Sequence, residues 1–134
     1  MIVDASRFPL VRLNLPTAFT LDTLRELTEG YDALFARRAK FMVVCDLRSM
    51  ASVPDAVVRR SVAEYFNRSD VREAQARYQV GSANIIASPL VRAGVTALLW
   101  LWEPPIPLDT VANDEEALKS ARKRLRDAGI PFEG

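Results

Sequence analysis

Phe41-Met42-Val43-Val44-Cys45-Asp46 is the stretch on which the fold turns. Five apolar residues run without alternation and end in an acid. A strand with one buried face alternates apolar and polar residues, whereas a strand buried on both faces carries an unbroken apolar run. Phe41–Cys45 is therefore expected at the centre of a sheet with helices packed against it. Cys45 reads as a small buried core residue. It is the chain's one cysteine, so it has no internal disulfide partner.

On the N-terminal side, Leu21, Leu24, Leu27, Tyr31, Leu34 and Phe35 recur at helical spacing and form one apolar face. Thr20 can cap that helix and Asp22 favours its first turn. Gly30 weakens its middle by about 1 kcal/mol relative to Ala. Arg37, Arg38 and Lys40 complement the dipole at its end. Earlier still, Phe8 to Leu15 reads as a half-buried strand, with Leu13 and Leu15 alternating with Arg12 and Asn14. Pro9 suits a strand start or edge, and Pro16 closes the strand. Met1–Asp4 can pair beside it.

On the C-terminal side, Ser52-Val53-Pro54-Asp55 reads as a helix start with Ser52 as cap, followed by the stripe Val58, Val62, Tyr65 and Phe66. Asn67-Arg68-Ser69-Asp70 is a break, with Ser69 capping a second piece from Asp70 to about Arg77. Tyr78 to Ala87 is strand-like. Ser88-Pro89 opens an apolar helix from Leu90 to Trp102, which Glu103-Pro104-Pro105 stops. Ile106 to Val111 is a short strand, and Pro107 places it at a sheet edge. Asn113 caps a last helix, with Glu116 at the capping-box position and Asp114 and Glu115 also facing the dipole. Leu118, Ala121, Leu125 and Ala128 mark its inner face. Gly129 followed by Ile130-Pro131 matches a Schellman stop. Strands alternating with helices imply an α/β fold: a mixed, mostly parallel sheet of four to five strands, in one domain over 1–134.

The composition excludes several classes. At 134 residues, 49% hydrophobic and 26% charged, the chain can bury a core without disulfides or metal. It has no histidine, the commonest general base and metal ligand. Ser-His-Asp and Cys-His sites are thereby excluded, as are zinc sites built on several Cys and His. Gly30, Gly81, Gly94, Gly129 and Gly134 are too dispersed to cradle a phosphate. No metal or cofactor is expected. Net charge is +1 and the arginines are scattered, so no nucleic acid is expected. Lys119, Arg122, Lys123, Arg124 and Arg126 read as the solvated side of the last helix. The longest apolar run, Ala93 to Trp102, is half the length that spans a bilayer, and the first residues lack a signal-peptide pattern. A cytoplasmic protein without stable membrane insertion is the expectation.

Four features carry a family resemblance: Phe41 to Arg48 as a central strand ending in Asp, a helix start a few residues later, Ser88-Pro89-Leu90-Val91-Arg92-Ala93-Gly94 through Trp102, and Asp114-Glu115-Glu116-Ala117. Together they resemble the SpoIIAA-like branch of the STAS fold. The resemblance implies a non-enzymatic regulatory or protein-interaction module with a protein partner. Sigma-regulatory members carry a phosphorylatable serine in an Asp-Ser-Ser-type motif. Here that region reads Ser49-Met50-Ala51-Ser52-Val53-Pro54-Asp55, so no phosphoserine switch is expected. The branch overlaps in naming with Sec14-like lipid-binding domains. The alternative is a small-ligand or lipid-binding domain, in which the apolar third helix and the 103–108 loop gate a pocket near that helix. An enzyme using carboxylates and arginine ranks below both.

Two groups of residues are candidate sites. Asp46, Arg48, Ser49 and Ser52 lie at the C-terminal end of the central strand and the next helix start, where open α/β sheets bind ligands and helix N-termini favour anions. The competing reading has Asp46 pairing with Arg48 and capping the loop. Trp100, Trp102, Glu103 and Ile106, with Pro104, end a helix that is apolar almost all round, and one sheet face can bury only part of such a helix. Tryptophan is enriched in binding hot spots. Either this end is a partner interface, a homodimer included, or another helix covers it and both tryptophans are core. Small Ala93, Gly94 and Ala97 would let the helix approach the sheet or a partner helix closely.

Overall fold

The structure, a computed structural model, describes residues 2–132. Along the chain come β1 (Val3–Arg7), β2 (Leu10–Asn14), α1 (Leu21–Ala36), β3 (Phe41–Asp46), α2 (Ala56–Asn67), α3 (Ser69–Tyr78), β4 (Gln79–Ile85), α4 (Pro89–Leu99), β5 (Leu108–Val111) and α5 (Asp114–Asp127). The strands form one sheet in the order β1-β2-β3-β4-β5. β1 is antiparallel to β2 and the other neighbours are parallel. Phe41–Cys45 thus occupies the middle strand, as the unbroken apolar run requires, and β5 lies at an edge. In the expected N-terminal strand, Val3 and Asp4 pair with Leu13 and Arg12; Met1 lies outside the described residues.

β2 to β5 advance across the sheet in one direction. Right-handed crossovers then place every connecting helix on the same face and leave the other to α5. Packing follows this rule. Phe41 and Val43 join Leu24, Leu27 and Leu34 of α1 and Val58, Val62 and Phe66 of α2. Met42 and Val44, pointing the other way, join Ala83, Ile85 and the α5 residues Ala117, Ala121 and Leu125. Both sides of β3 are buried, which is why its sequence does not alternate.

Gly30 has a packing reason. A Cβ there would lie 2.3 Å from Val3 Cγ2, so glycine lets β1 close on α1. At the other end of the chain Asn113 Oδ1 accepts the Glu116 N–H at 2.9 Å. α5 stops at Gly129, φ +73°, where Ile130 N donates to Leu125 O and Gly129 N to Arg126 O, each at 2.9 Å. This is the Schellman pattern.

The strands are trimmed to Leu10–Asn14, Gln79–Ile85 and Leu108–Val111, and three helix boundaries also differ from the sequence reading. Asp55, not Ser52, caps α2, accepting from Val58 N at 2.9 Å. Asp caps as well as Ser, and the preceding residues are engaged elsewhere: Val53 packs on Gly94 and the Pro54 carbonyl accepts from Arg59. α3 begins at Ser69 with Arg68 as its cap residue. Arg68 also ends α2, so the two helices abut and leave no position for a separate cap. Finally, α4 ends at Leu99 rather than Trp102. Leu101 N and Trp102 N both donate to Leu98 O, at 2.9 and 3.1 Å, and Asn67 Nδ2 donates to Leu101 O at 2.9 Å. The last turn tightens and its carbonyl is taken by α2. Among the described residues no helix is long and apolar enough to cross a membrane.

Candidate functional site

The first group of candidate residues forms a charged ring. Arg12 lies 2.7 Å from Asp46 and 3.1 Å from Asp114; Arg48 lies 2.9 Å from Asp46 and 3.0 Å from Asp114. The strand alternation that buries Leu13 puts Arg12 on the opposite face, where the N-terminus of α5 brings Asp114. Hydrogen bonds from Arg48 to Asp46 pull its carboxyl down to about 2, with the nearby guanidinium charges adding to the effect. The same arginines lower Asp114. Both carboxylates are ionised and both arginines are engaged, so the ring offers neither a base at neutral pH nor a spare cation for an anion. It clamps the ends of β2 and β3 to α5. Ser49 and Ser52 are exposed and belong to neither the ring nor the cavity described next.

On the four-helix face, beneath α4, lies a cavity of about 170 Å³. Its floor is the sheet: Leu13, Cys45, Ser82, Asn84 and Leu108. One side is formed by Leu27 and Tyr31 of α1 with Val62 and Phe66 of α2, and the roof by Val91, Gly94, Val95, Leu98 and Leu99 of α4. The space exists because α4 stands off the sheet. Val91 is its one buried residue. Gly94 seats on the loop before α2, where an added Cβ would lie 2.7 Å from Val53 Cγ1. The small residue permits close approach, but to a loop and not to the sheet or a partner helix as the sequence suggested.

The second group divides. Trp102 and Ile106 line the cavity; Trp102 is half-buried and stacks on Phe66 with centroids 4.8 Å apart. Trp100 is 83% exposed. Glu103 contributes its carbonyl, which accepts from Arg72 at 2.8 Å. With the Asn67 bond, this straps the segment after α4 to α2 and α3.

Sequence reading missed the cavity's polar wall: Gln75, Gln79, Ser82 and Asn84. A signal was present, because Gln79, Ser82 and Asn84 are polar residues in a strand that has a neighbour on each side. Ser82 Oγ and Asn84 Oδ1 are 2.9 Å apart. Burial pushes the Cys45 thiol up to about 12 and raises the Tyr31 phenol, so both face the cavity as neutral groups. Compared with known proteins, the chain matches no family model and no curated sequence.

Proposed function

We propose that this chain is a non-enzymatic binding module that takes a small, mainly apolar ligand into the cavity beneath α4. The observation that carries the reading is the cavity itself, an apolar chamber with a few polar groups on one wall, which is the usual make-up of small-molecule sites. An engineered apolar cavity of about 150 Å³ in another protein binds benzene. At about 170 Å³ the matching ligand is a substituted ring or a short acyl chain. Access is through α4, the element least anchored to the core. The groups nearest to chemistry favour binding over catalysis: Asp46 and Asp114 are held by arginines, and Cys45 stays protonated.

The sheet order and alternating helices are compatible with the SpoIIAA-like branch of the STAS fold, and a regulatory role belongs to this reading as a second element. Leu90, Trp100 and Leu101 are about half or more exposed on and just after α4. A protein partner, a second copy included, would read the cavity's occupancy from that outer face.

The test is thermal melting of the purified chain with saturating benzene, naphthalene or hexanol. A ligand at 100 times its Kd stabilises by about 2.7 kcal/mol, a clear rise in Tm. Val95→Trp fills the chamber from its roof and abolishes the rise. A Tm that no probe moves refutes the reading.

A further inference from the structure

Arginine grips a carboxylate most firmly through the fork formed by its Nε–H and an Nη–H, two parallel bonds to one planar group. The chain uses that fork repeatedly. Arg48 presents Nε and Nη2 to Asp46 at 3.0 and 2.9 Å, Arg68 to Asp70 at 3.1 and 2.6 Å, and Arg124 to Asp109 at 3.1 and 2.9 Å. Arg59 departs from the pattern. Its Nη1 donates to the Pro54 carbonyl, which leaves the Nε–Nη2 fork unused. Among the described residues no carboxylate forms an ion pair with it. Asp55, one turn earlier, gives its carboxylate to the Val58 N–H as the cap of α2. Arg59 is also the one charged residue in the lining of the cavity beneath α4. It is half-buried and lines the cavity together with Val53 and Pro54, at the end where the loop before α2 meets Gly94 of α4.

Resting on the reading of this cavity as a ligand site, we infer that the ligand is an amphiphilic monocarboxylate, with a ring or short acyl chain in the chamber and its carboxylate on the Arg59 fork. A half-buried cation has lost part of its hydration, and a counter-charge compensates that loss. A neutral ligand would cover the apolar lining and leave the charge of Arg59 unanswered. A cationic ligand would meet a like charge with no carboxylate among the described lining residues to offset it. The two oxygens of a carboxylate match the two N–H groups that Arg59 has to spare, as they do at Asp46, Asp70 and Asp109.

The experiment measures binding of 4-ethylbenzoate, 4-ethylbenzamide, ethylbenzene, 4-ethylbenzylammonium and acetate to the full chain by calorimetry at pH 7. The benzoate is expected to bind about tenfold or more tighter than ethylbenzene or the benzamide, which has nearly its shape without its charge, and the ammonium and acetate are expected to be weakest. Arg59→Met, which keeps the apolar stem, should remove the benzoate's advantage over the benzamide. Arg59→Lys, which keeps the charge but not the fork, should restore only part of it, and serves if the Met variant does not fold. Equal affinity for benzoate, benzamide and ethylbenzene overturns the inference and leaves the apolar-ligand reading standing. A preference for the ammonium overturns it too, as does an Arg59 variant that weakens benzamide as much as benzoate. Acetate binding as tightly as the benzoate would reduce the site to a surface anion contact and also overturn it. Binding of none of the five overturns both readings.

Discussion

α4 and α5 are opposites in sequence and opposites in seating, but the pairing is the reverse of what hydrophobicity alone would give. α5 is among the most polar helices, with acids in its first turn and Arg124 and Arg126 in its last. Yet Ala117, Ala121 and Leu125 are essentially inaccessible against Met42, Val44, Ala83 and Ile85. α4 is apolar almost throughout, yet buries only Val91. A narrow stripe in register with a sheet face is worth more to packing than a larger apolar surface with no matching face. The α5 side of β4 offers Ala83 and Ile85, whereas the α4 side offers Ser82 and Asn84. A helix cannot bury apolar residues against a hydroxyl and a carboxamide without loss, so it stands off and leaves a chamber.

Truncating one residue on each side tests this contrast most strongly. Leu125→Ala opens a hole in a close-packed layer and is expected to destabilise the fold by about 2–5 kcal/mol, measured by urea unfolding. Leu98→Ala, on the roof of an existing cavity, removes contacts from one side only and costs about 1 kcal/mol. Equal losses would mean that α4 is as firmly seated as α5. Next in size is Gly94→Ala. Its methyl would press on the stiff, β-branched Val53, at about 1–3 kcal/mol, offset by about 1 kcal/mol of helix propensity. The sharper readout is Cys45 beneath the roof. Alkylation by a neutral maleimide is expected to be several-fold faster in Gly94→Ala than in the parent, and slower in both when ethylbenzene is bound.

The sheet was legible in the sequence because its signals are local and redundant. Phe41–Cys45, the Asn113 cap and the Gly129 stop each combine pattern with chemistry. Ser52 misled because Ser52 and Asp55 are equally good caps three residues apart, and the choice fell to Val53 and Pro54, whose partners are distant in sequence. Asp46 and Arg48 looked like a site because their position at a strand end is shared by binding residues and structural ion pairs. Only the arrival of Arg12 and Asp114 from other elements separates the two. A pocket near the third helix was only the alternative reading, and its polar wall went unread for a related reason: it belongs to the misfit between β4 and α4, and neither segment records it alone. Gln79, Ser82 and Asn84 were the trace it left.

The charged ring gives the α5 side a signature at acid pH, whereas Cys45 and Tyr31 beneath α4 are shifted upward. The Asp46 carboxyl sits near 2 in the fold, below the ordinary value of about 3.9 in the unfolded chain. Its contribution is therefore complete above about pH 4 and is lost as pH falls through about 2. Each arginine side chain is about a third exposed, at 35% and 34%, so water screens the interaction and the expected contribution is about 1 kcal/mol. Asp46→Asn should lower stability by about that amount at pH 7 and flatten the pH dependence between 4 and 2. An unchanged acid limb would show that the ring does not clamp α5.

The smallest expected effect separates the two tryptophans, which are neighbours in sequence but occupy different environments. Trp100 is 83% exposed, so Trp100→Phe should change stability by no more than about 0.5 kcal/mol. It leaves Trp102 as the sole indole, stacked on Phe66 at 4.8 Å with an inaccessible Nε1. Emission from that variant should be blue-shifted relative to Trp102→Phe, whose remaining indole faces water. Adding ethylbenzene should perturb the Trp102 signal and leave Trp100 unmoved, because only Trp102 lines the cavity. Had α4 closed fully on the sheet, the two indoles would differ less and neither would sense a ligand. A response from Trp100 with silence from Trp102 would place binding on the outer face of α4, and the contrast between a seated helix and a roof would then have to be redrawn around that surface.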